Sequence, residues 1–355
     1  MALGHVLSRK VRSMRRPALL AAGCLTAMAV LGAAPTATAE PSVPGSSFPS
    51  QPAASSAPRI VSVTMETDRR AVLSVFSPAM SREIQVQVLL PADRSAPRPT
   101  LYMLDGVSAG EESNYTESTW TQKTDVVSFF ADKAVNVVLP VGGRGSYYAD
   151  WQQSDPILGL NKWETFLTSE LPPLLDARFD GNGINSLMGL SMGAQGAMNL
   201  LTKHPDLYTG IAGFSGCYDN RSNETKNAVR ATVGSTGGDA TNMWGPNSDP
   251  AWADNDPSNH VEALRGKQIY LSTGNGFPGP YEAAGGFGES VIEALTVGGP
   301  LEAAANICTT GFADTLRTAG VPATIVFKPY GTHSWKYWQD EMHNSWPVVS
   351  RSLGL

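Results

Sequence analysis

What the 355-residue sequence has little of narrows its chemistry first. It holds three cysteines and five histidines, and none are paired at a spacing that would grip zinc, so no metal centre is expected. No phosphate-loop pattern with its lysine occurs, and no cofactor is expected. There is no internal repeat and no composition break that would mark a second domain. Positive charge is also scarce. The formal net charge is −6, and the first 39 residues carry five cations (Arg9, Lys10, Arg12, Arg15, Arg16) and no acid, which leaves −11 for the remainder. An acidic body is poorly suited to binding a phosphate backbone, so no nucleic-acid partner is expected. The composition, 42% hydrophobic and 16% charged, is ordinary for a globular protein with a core.

The missing acid at the N-terminus has a reason. Basic residues run to Arg16, an apolar stretch follows from Ala18 to Ala34, and Ala37-Thr38-Ala39 is a small-x-small cleavage pattern. This is the layout of a secretory signal peptide. The apolar stretch is short for a membrane span and is interrupted by Gly23, Thr26 and Gly32. Cys24 lacks a Leu three residues before it, which weighs against a lipoprotein. Residues 1–39 are therefore expected to be a signal peptide, 40–58 a flexible Pro/Ser/Ala-rich leader, and 59–355 one folded, exported domain with no stable span after cleavage. Two cysteines remain, Cys217 and Cys308, compatible with one disulfide or with two buried thiols; in an exported chain the disulfide is expected.

Within the body, Ile60–Val63, Ala71–Phe76 and the alternating Ile84–Leu90 predict an antiparallel start to a sheet. Apolar runs at 100–104, 134–140, 185–190, 211–214, 268–272 and 323–327 predict strands buried on both faces. Helical patterns cover 124–131, 163–175, 192–203 and 301–318. Alternating strand and helix predicts one doubly wound α/β sheet. The segments 243–256 and 274–299 read as long loops, the kind that builds sites at strand ends.

The sharpest chemical signal is Gly189-Leu190-Ser191-Met192-Gly193, after a strand and before a helix. A serine there sits on a tight turn with its hydroxyl above the sheet, and the amide of Met192 is placed to hold an oxyanion. Its base is expected to be His333, in Gly331-Thr332-His333-Ser334-Trp335 just after the last strand, in the nucleophile–acid–histidine order of such folds. His204 is expected to cap a helix end instead. The acid must lie between Ser191 and His333, where Asp239, Asp249, Asp254, Asp256, Glu262, Glu282, Glu289, Glu293, Glu302 and Asp314 qualify by order and periodicity alone does not decide. The loop Asp105-Gly106-Val107 should supply the second oxyanion donor from the Val107 amide, with Asp105 at the mouth of the site.

Several strings together resemble the antigen 85 mycolyltransferases. They are Val141-Gly142-Gly143, Ser146 to Trp151, Lys162 to Leu171, Gly189 to Met192, Asn242 to Pro246, Ser248 to Trp252 and Gly331 to Trp335. The resemblance runs in order from about Leu101 to Trp338. It implies an α/β-hydrolase fold, a single domain with a mostly parallel sheet flanked by helices, and a Ser-Glu-His triad. It implies a secreted cell-envelope enzyme that moves mycolic acyl chains from trehalose monomycolate to a second trehalose monomycolate or to arabinogalactan. It favours Glu302, which keeps the family's spacing to Phe312 and Asp314, over Glu293, whose local string also matches. It places Asp105 and Trp335 at the sugar site. Departures are Ser108 where mycobacterial members carry Arg, Thr273 in place of a strand Cys, and the absence of their small disulfide before Lys162; these bear on the acceptor. The alternatives are a secreted carboxylesterase using water, and an envelope- or matrix-binding protein. The sequence leaves the oligomeric state open.

Overall fold

The computed structural model describes residues 57–355. The expected signal peptide and nearly all of the expected leader lie outside the described residues. All nine expected strands form: β1 Arg59–Thr67, β2 Arg70–Ser77, β3 Arg82–Leu89, β4 Arg98–Leu104, β5 Asn136–Val141, β6 Gly181–Leu190, β7 Tyr208–Phe214, β8 Gln268–Thr273 and β9 Thr324–Phe327. They make one sheet in the order β1-β2-β3-β5-β4-β6-β7-β8-β9. The first three pair antiparallel, and β3 meets β5 antiparallel. From β5 to β9 every neighbour is parallel.

The burial patterns follow from this topology. On β2 the residues Ala71, Leu73 and Val75 turn inward and alternate with partly exposed ones, because only one face of that strand is covered. On β5 all six residues are buried. Successive residues of β4 feed opposite faces, Tyr102 and Leu104 on one, Leu101 and Met103 on the other. The first face carries α2, Met192–Lys203, through Ala194, Ala197, Met198 and Leu201. The other carries the C-terminal helix α5, Trp335–Ser352, through Trp338, Met342 and Val349. The remaining long helices are α1, Leu171–Phe179, α3, Asn223–Ser235, and α4, Gly299–Ala319.

Helix expectations need three adjustments. The segment expected as one helix over 124–131 is two short pieces, Thr119–Lys123 and Val126–Phe129. The first starts early because Ser118 caps it and the Asp105 carboxylate takes its leading amides. The helix expected over 163–175 runs on to Phe179 and contains a π turn at Phe166–Glu170. Helix α3 escapes a periodicity reading because only Val229 and Val233 are buried on it; its cue is the N-cap Ser222, which accepts from the Thr225 amide.

Candidate active site

The parallel strands deliver their carboxyl ends to one edge, and the chemistry gathers there. Ser191 follows β6 and begins α2 with φ 52° and ψ −124°. A non-glycine residue in that region is strained, as at a nucleophile elbow. The flanking glycines are demanded by space: a Cβ at Gly189 would fall 2.5 Å from the Gly193 carbonyl oxygen, and one at Gly193 would overlap the Asp105 carbonyl. The elbow is pinned from below by the Ser191 amide donating to the Phe214 carbonyl at 2.8 Å.

Three side chains line up above it. Ser191 Oγ lies 2.8 Å from His333 Nε2, and His333 Nδ1 lies 2.8 Å from Glu302 Oε2. Glu302 is on the first turn of α4 and only 2% exposed. A buried carboxylate needs partners, and its other oxygen has three: Ser215 Oγ at 2.8 Å, Thr273 Oγ1 at 3.0 Å and the Gly274 amide at 2.6 Å. Those donors stand at the ends of β7 and β8, so the sheet itself orients the acid. The His333 amide donates to the Gly298 carbonyl, and the imidazole meets Trp338 edge-to-face at 4.8 Å. Trp338 Nε1 in turn donates to Ser215 Oγ at 2.9 Å.

Glu293 stands exposed on the short helix Val291–Glu293, nine positions before the glutamate that touches His333. The other described histidines are engaged elsewhere. His204 pairs with Glu164 at 2.8 Å rather than only capping its helix, His260 contacts the Asp254 carbonyl, and His343 pairs with Asp125.

Met192 opens α2, where the first amides have no intrahelical acceptor. The loop bearing Val107 passes directly over the nucleophile: a Cβ on Gly106 would sit 3.8 Å from the Ser191 Cβ. The Val107 carbonyl is held by the Gly145 amide at 3.0 Å. Trp335 is half-buried, packed edge-on against Trp120 and Trp338, with its amide on Glu289.

Asp105 is a correction. It was expected at the mouth of the site and is instead 0% exposed. Its carboxylate accepts from the Ser118 hydroxyl and from the Thr119 and Trp120 amides. It caps the short helix Thr119–Lys123 from the start of the loop that bears Val107, and it offers no exposed atom to a sugar. Burial pushes its pKa up to about 6, opposed by these hydrogen bonds.

Sequence reasoning missed Ser215, and it held Glu282 only as one of the candidate acids, not in the role it has. Ser215 sits at φ 53° just past a buried strand, and the Ser-Gly pair there was its only cue. Glu282 is buried in the loop expected over 274–299. It accepts from Thr332 Oγ1 and Tyr337 OH, both at 2.5 Å, and from the Gly279 amide, tying that loop to the residue before His333. The other expected loop, 243–256, folds into two short helices around the buried Trp244 and Trp252. It supplies no hydrogen bond to Ser191, His333 or Glu302. Cys217 and Cys308 are joined in a disulfide. Among the described residues no cluster of His, Cys, Asp or Glu could hold a metal ion, and no helix is long and apolar enough to cross a membrane.

Residues 77–347 match the Esterase family model, described as "Putative esterase". The chain is 34% identical over 292 residues to the diacylglycerol acyltransferase/mycolyltransferase Ag85A of Mycobacterium leprae, covering 79% of this chain and 83% of that one. It is 35% identical over 295 residues to Ag85B of Mycolicibacterium smegmatis, covering 79% and 85%. Among solved structures it superposes on Mycobacterium tuberculosis MPT51 (FbpC1) with a TM-score of 0.66 and 26% identity, covering 79% of this chain and 97% of that one. It shares the α/β-hydrolase fold more distantly with an S-formylglutathione hydrolase from Agrobacterium tumefaciens, at TM-score 0.53 and 17% identity, covering 82% and 99%.

Proposed function

From the premise that this chain belongs to the esterase family and, within it, to the Ag85 acyltransferase/mycolyltransferases, we propose that it transfers a mycolyl group from trehalose monomycolate to a second trehalose monomycolate or to arabinogalactan. The reaction passes through an acyl-enzyme on Ser191, outside the cell membrane. The observation that carries the reading is the continuous hydrogen-bonded chain from Ser191 through His333 to the buried Glu302.

His333 Nε2 takes the hydroxyl proton as Ser191 Oγ attacks the donor's ester carbonyl. The oxyanion that develops is met by the amides of Met192 and Val107, fixed before reaction by the helix start and by the loop over the elbow. When the tetrahedral species collapses, the ester C–O bond breaks and the trehalose oxygen leaves with the proton from His333. An acceptor hydroxyl then enters, gives its proton to His333, attacks the acyl-enzyme and regenerates Ser191. Glu302 holds the imidazole in the tautomer with the proton on Nδ1 and stabilises the imidazolium. Trp335 offers an apolar ring at the rim, suited to the face of a sugar.

In this reading export removes residues 1–39, leaving Glu40–Pro58 as a leader and 59–355 as the single catalytic domain. N-terminal sequencing of the exported protein tests the cut. The function is tested by purified protein with trehalose monomycolate, following trehalose dimycolate against free mycolate. Dimycolate, with loss of product and of acyl-enzyme mass in Ser191→Ala, is the expected result. Free mycolate alone would make water the acceptor, and no product with no acylated Ser191 would leave a binding protein.

A further inference from the structure

The long helical segment that carries Glu302 is unusually greasy on its outside. Six large apolar side chains lie exposed between residues 277 and 307: Phe277, Ile292, Leu295, Val297, Leu301 and Ile307. Ile292 and Ile307 are 76% and 75% exposed. Inward-facing positions of the same stretch, Glu302, Ala305 and Thr309, are buried, so the exposed residues form an outer face. The face adjoins the active site, since Gly298, buried in the same segment, accepts the His333 amide. Gly276 packs on the Gly299 carbonyl and Ala303 closely enough that no Cβ would fit, which sets Phe277 beside the start of α4.

Its charge is as telling as its apolarity. No Lys or Arg occurs between Lys267 and Arg317. The nearby cations Lys123 and Lys336 act on Glu289 at the edge of the stretch, and Lys123 also pairs with Glu112. A surface built for anionic phospholipid presents basic residues, and this one has none of its own. An exposed apolar cluster without cations matches a layer whose headgroups carry no net charge.

We propose that the 277–307 face docks the enzyme onto an uncharged lipid layer, so that His333 and Ser191 open beside the acyl chains. The consequence for turnover rests on the acyl-transfer reading above; the docking does not. Docked this way, the apolar side chains enter the headgroup–acyl boundary while Glu289 and Glu293 stay at the aqueous rim.

The test is co-sedimentation of the Ser191→Ala protein with phosphatidylcholine vesicles that contain no sugar ester. Binding is expected, unchanged within about twofold between 0.05 and 0.5 M salt, and not raised by adding phosphatidylglycerol. Ile292→Ser with Ile307→Ser, both far out in solvent, should weaken it by about tenfold or more. In the Ser191 background the same pair should leave cleavage of a soluble short-chain ester intact. Binding unaffected by the pair, or binding that needs phosphatidylglycerol and disappears with salt, would overturn the proposal. So would a dimer in ultracentrifugation that the pair dissociates, because a second copy would then be the face's occupant. A failure of mycolyl transfer leaves this vesicle assay untouched, so the two readings fail separately.

Discussion

At the residue scale, two glutamates nine positions apart carry opposite expectations. Glu302 is buried and hydrogen-bonded to His333 Nδ1, whereas Glu293 is exposed. Glu302→Gln presents an amide whose donor can meet the imidazole only in the wrong tautomer, so kcat/KM should fall by roughly 10²–10⁴-fold. Glu293→Gln should stay within about twofold. Steady-state kinetics on a soluble ester decides, and the reverse pattern would move the acid to Glu293. Asp105 carries a pH signature. Its folded pKa of about 6 lies above the ordinary carboxylate value, so the folded state holds the proton more tightly than the unfolded chain. The stabilisation from that proton is fully present below about pH 4 and is lost as pH rises through about 6. The stability of the wild type relative to Asp105→Asn should therefore increase as pH falls from 6 to 4, read as the gap between their melting temperatures. A gap that shrinks over that window would refute a raised pKa. The two carboxylates also show what a sequence can and cannot say. Ser191 and His333 were legible because an elbow and a loop after the last strand are local features. Whether Asp105 points out at a sugar or in at a hydroxyl and two amides 13 to 15 residues away is a tertiary fact that no local pattern encodes.

At the element scale the position of every strand was readable, since a strand covered on one face must alternate and one covered on both must be apolar; the expected two-face burial fails at the edge strand β9, none of whose residues is buried. Helices were readable where an apolar stripe exists, as on α2. They failed where a distant group sets the start, as Asp105 does for Thr119–Lys123, or where the helix is mostly solvated, as α3 is. The disulfide acts at this scale too. It ties the loop just past Ser215 to α4 six residues after Glu302, beside a second link, Thr309 Oγ1 donating to the Gly216 carbonyl at 3.1 Å. Both ends thus hold groups that meet on the Glu302 carboxylate. Closing a loop of 91 residues constrains the unfolded chain, and its loss should cost about 2–5 kcal/mol. Cys217→Ser with Cys308→Ser should melt well below the wild type in thermal unfolding. Under reductant the wild type should approach the variant while the variant itself stays unmoved. Equal melting points for the two proteins would show that the link contributes nothing.

At the scale of the whole molecule, one parallel sheet brings residues more than 140 apart in sequence to a single edge. Ser191 follows β6, Ser215 follows β7, Thr273 ends β8 with Gly274 just after it, and His333 comes after β9. In the proposed reaction such an edge generates an acyl-enzyme whatever the acceptor. Transfer over hydrolysis then depends on whether an acceptor hydroxyl occupies the site ahead of water. If the mechanism is ping-pong, initial rates against donor at several acceptor concentrations should give parallel double-reciprocal lines. The ratio of transferred to hydrolysed acyl group should rise and saturate as trehalose is added. Intersecting lines would require donor and acceptor to be bound together and would remove the free acyl-enzyme from the scheme. Trp335 supplies the separating variant. It touches neither His333 nor Ser191 by hydrogen bond, and it packs on Trp120 and Trp338 at the rim. Trp335→Phe keeps that packing while shrinking the ring offered to a sugar. Its acceptor KM should rise several-fold while the amplitude of the acylation burst is unchanged. A reduced burst with an unaltered acceptor KM would instead make Trp335 a support for His333 through Trp338 and take it out of the acceptor site.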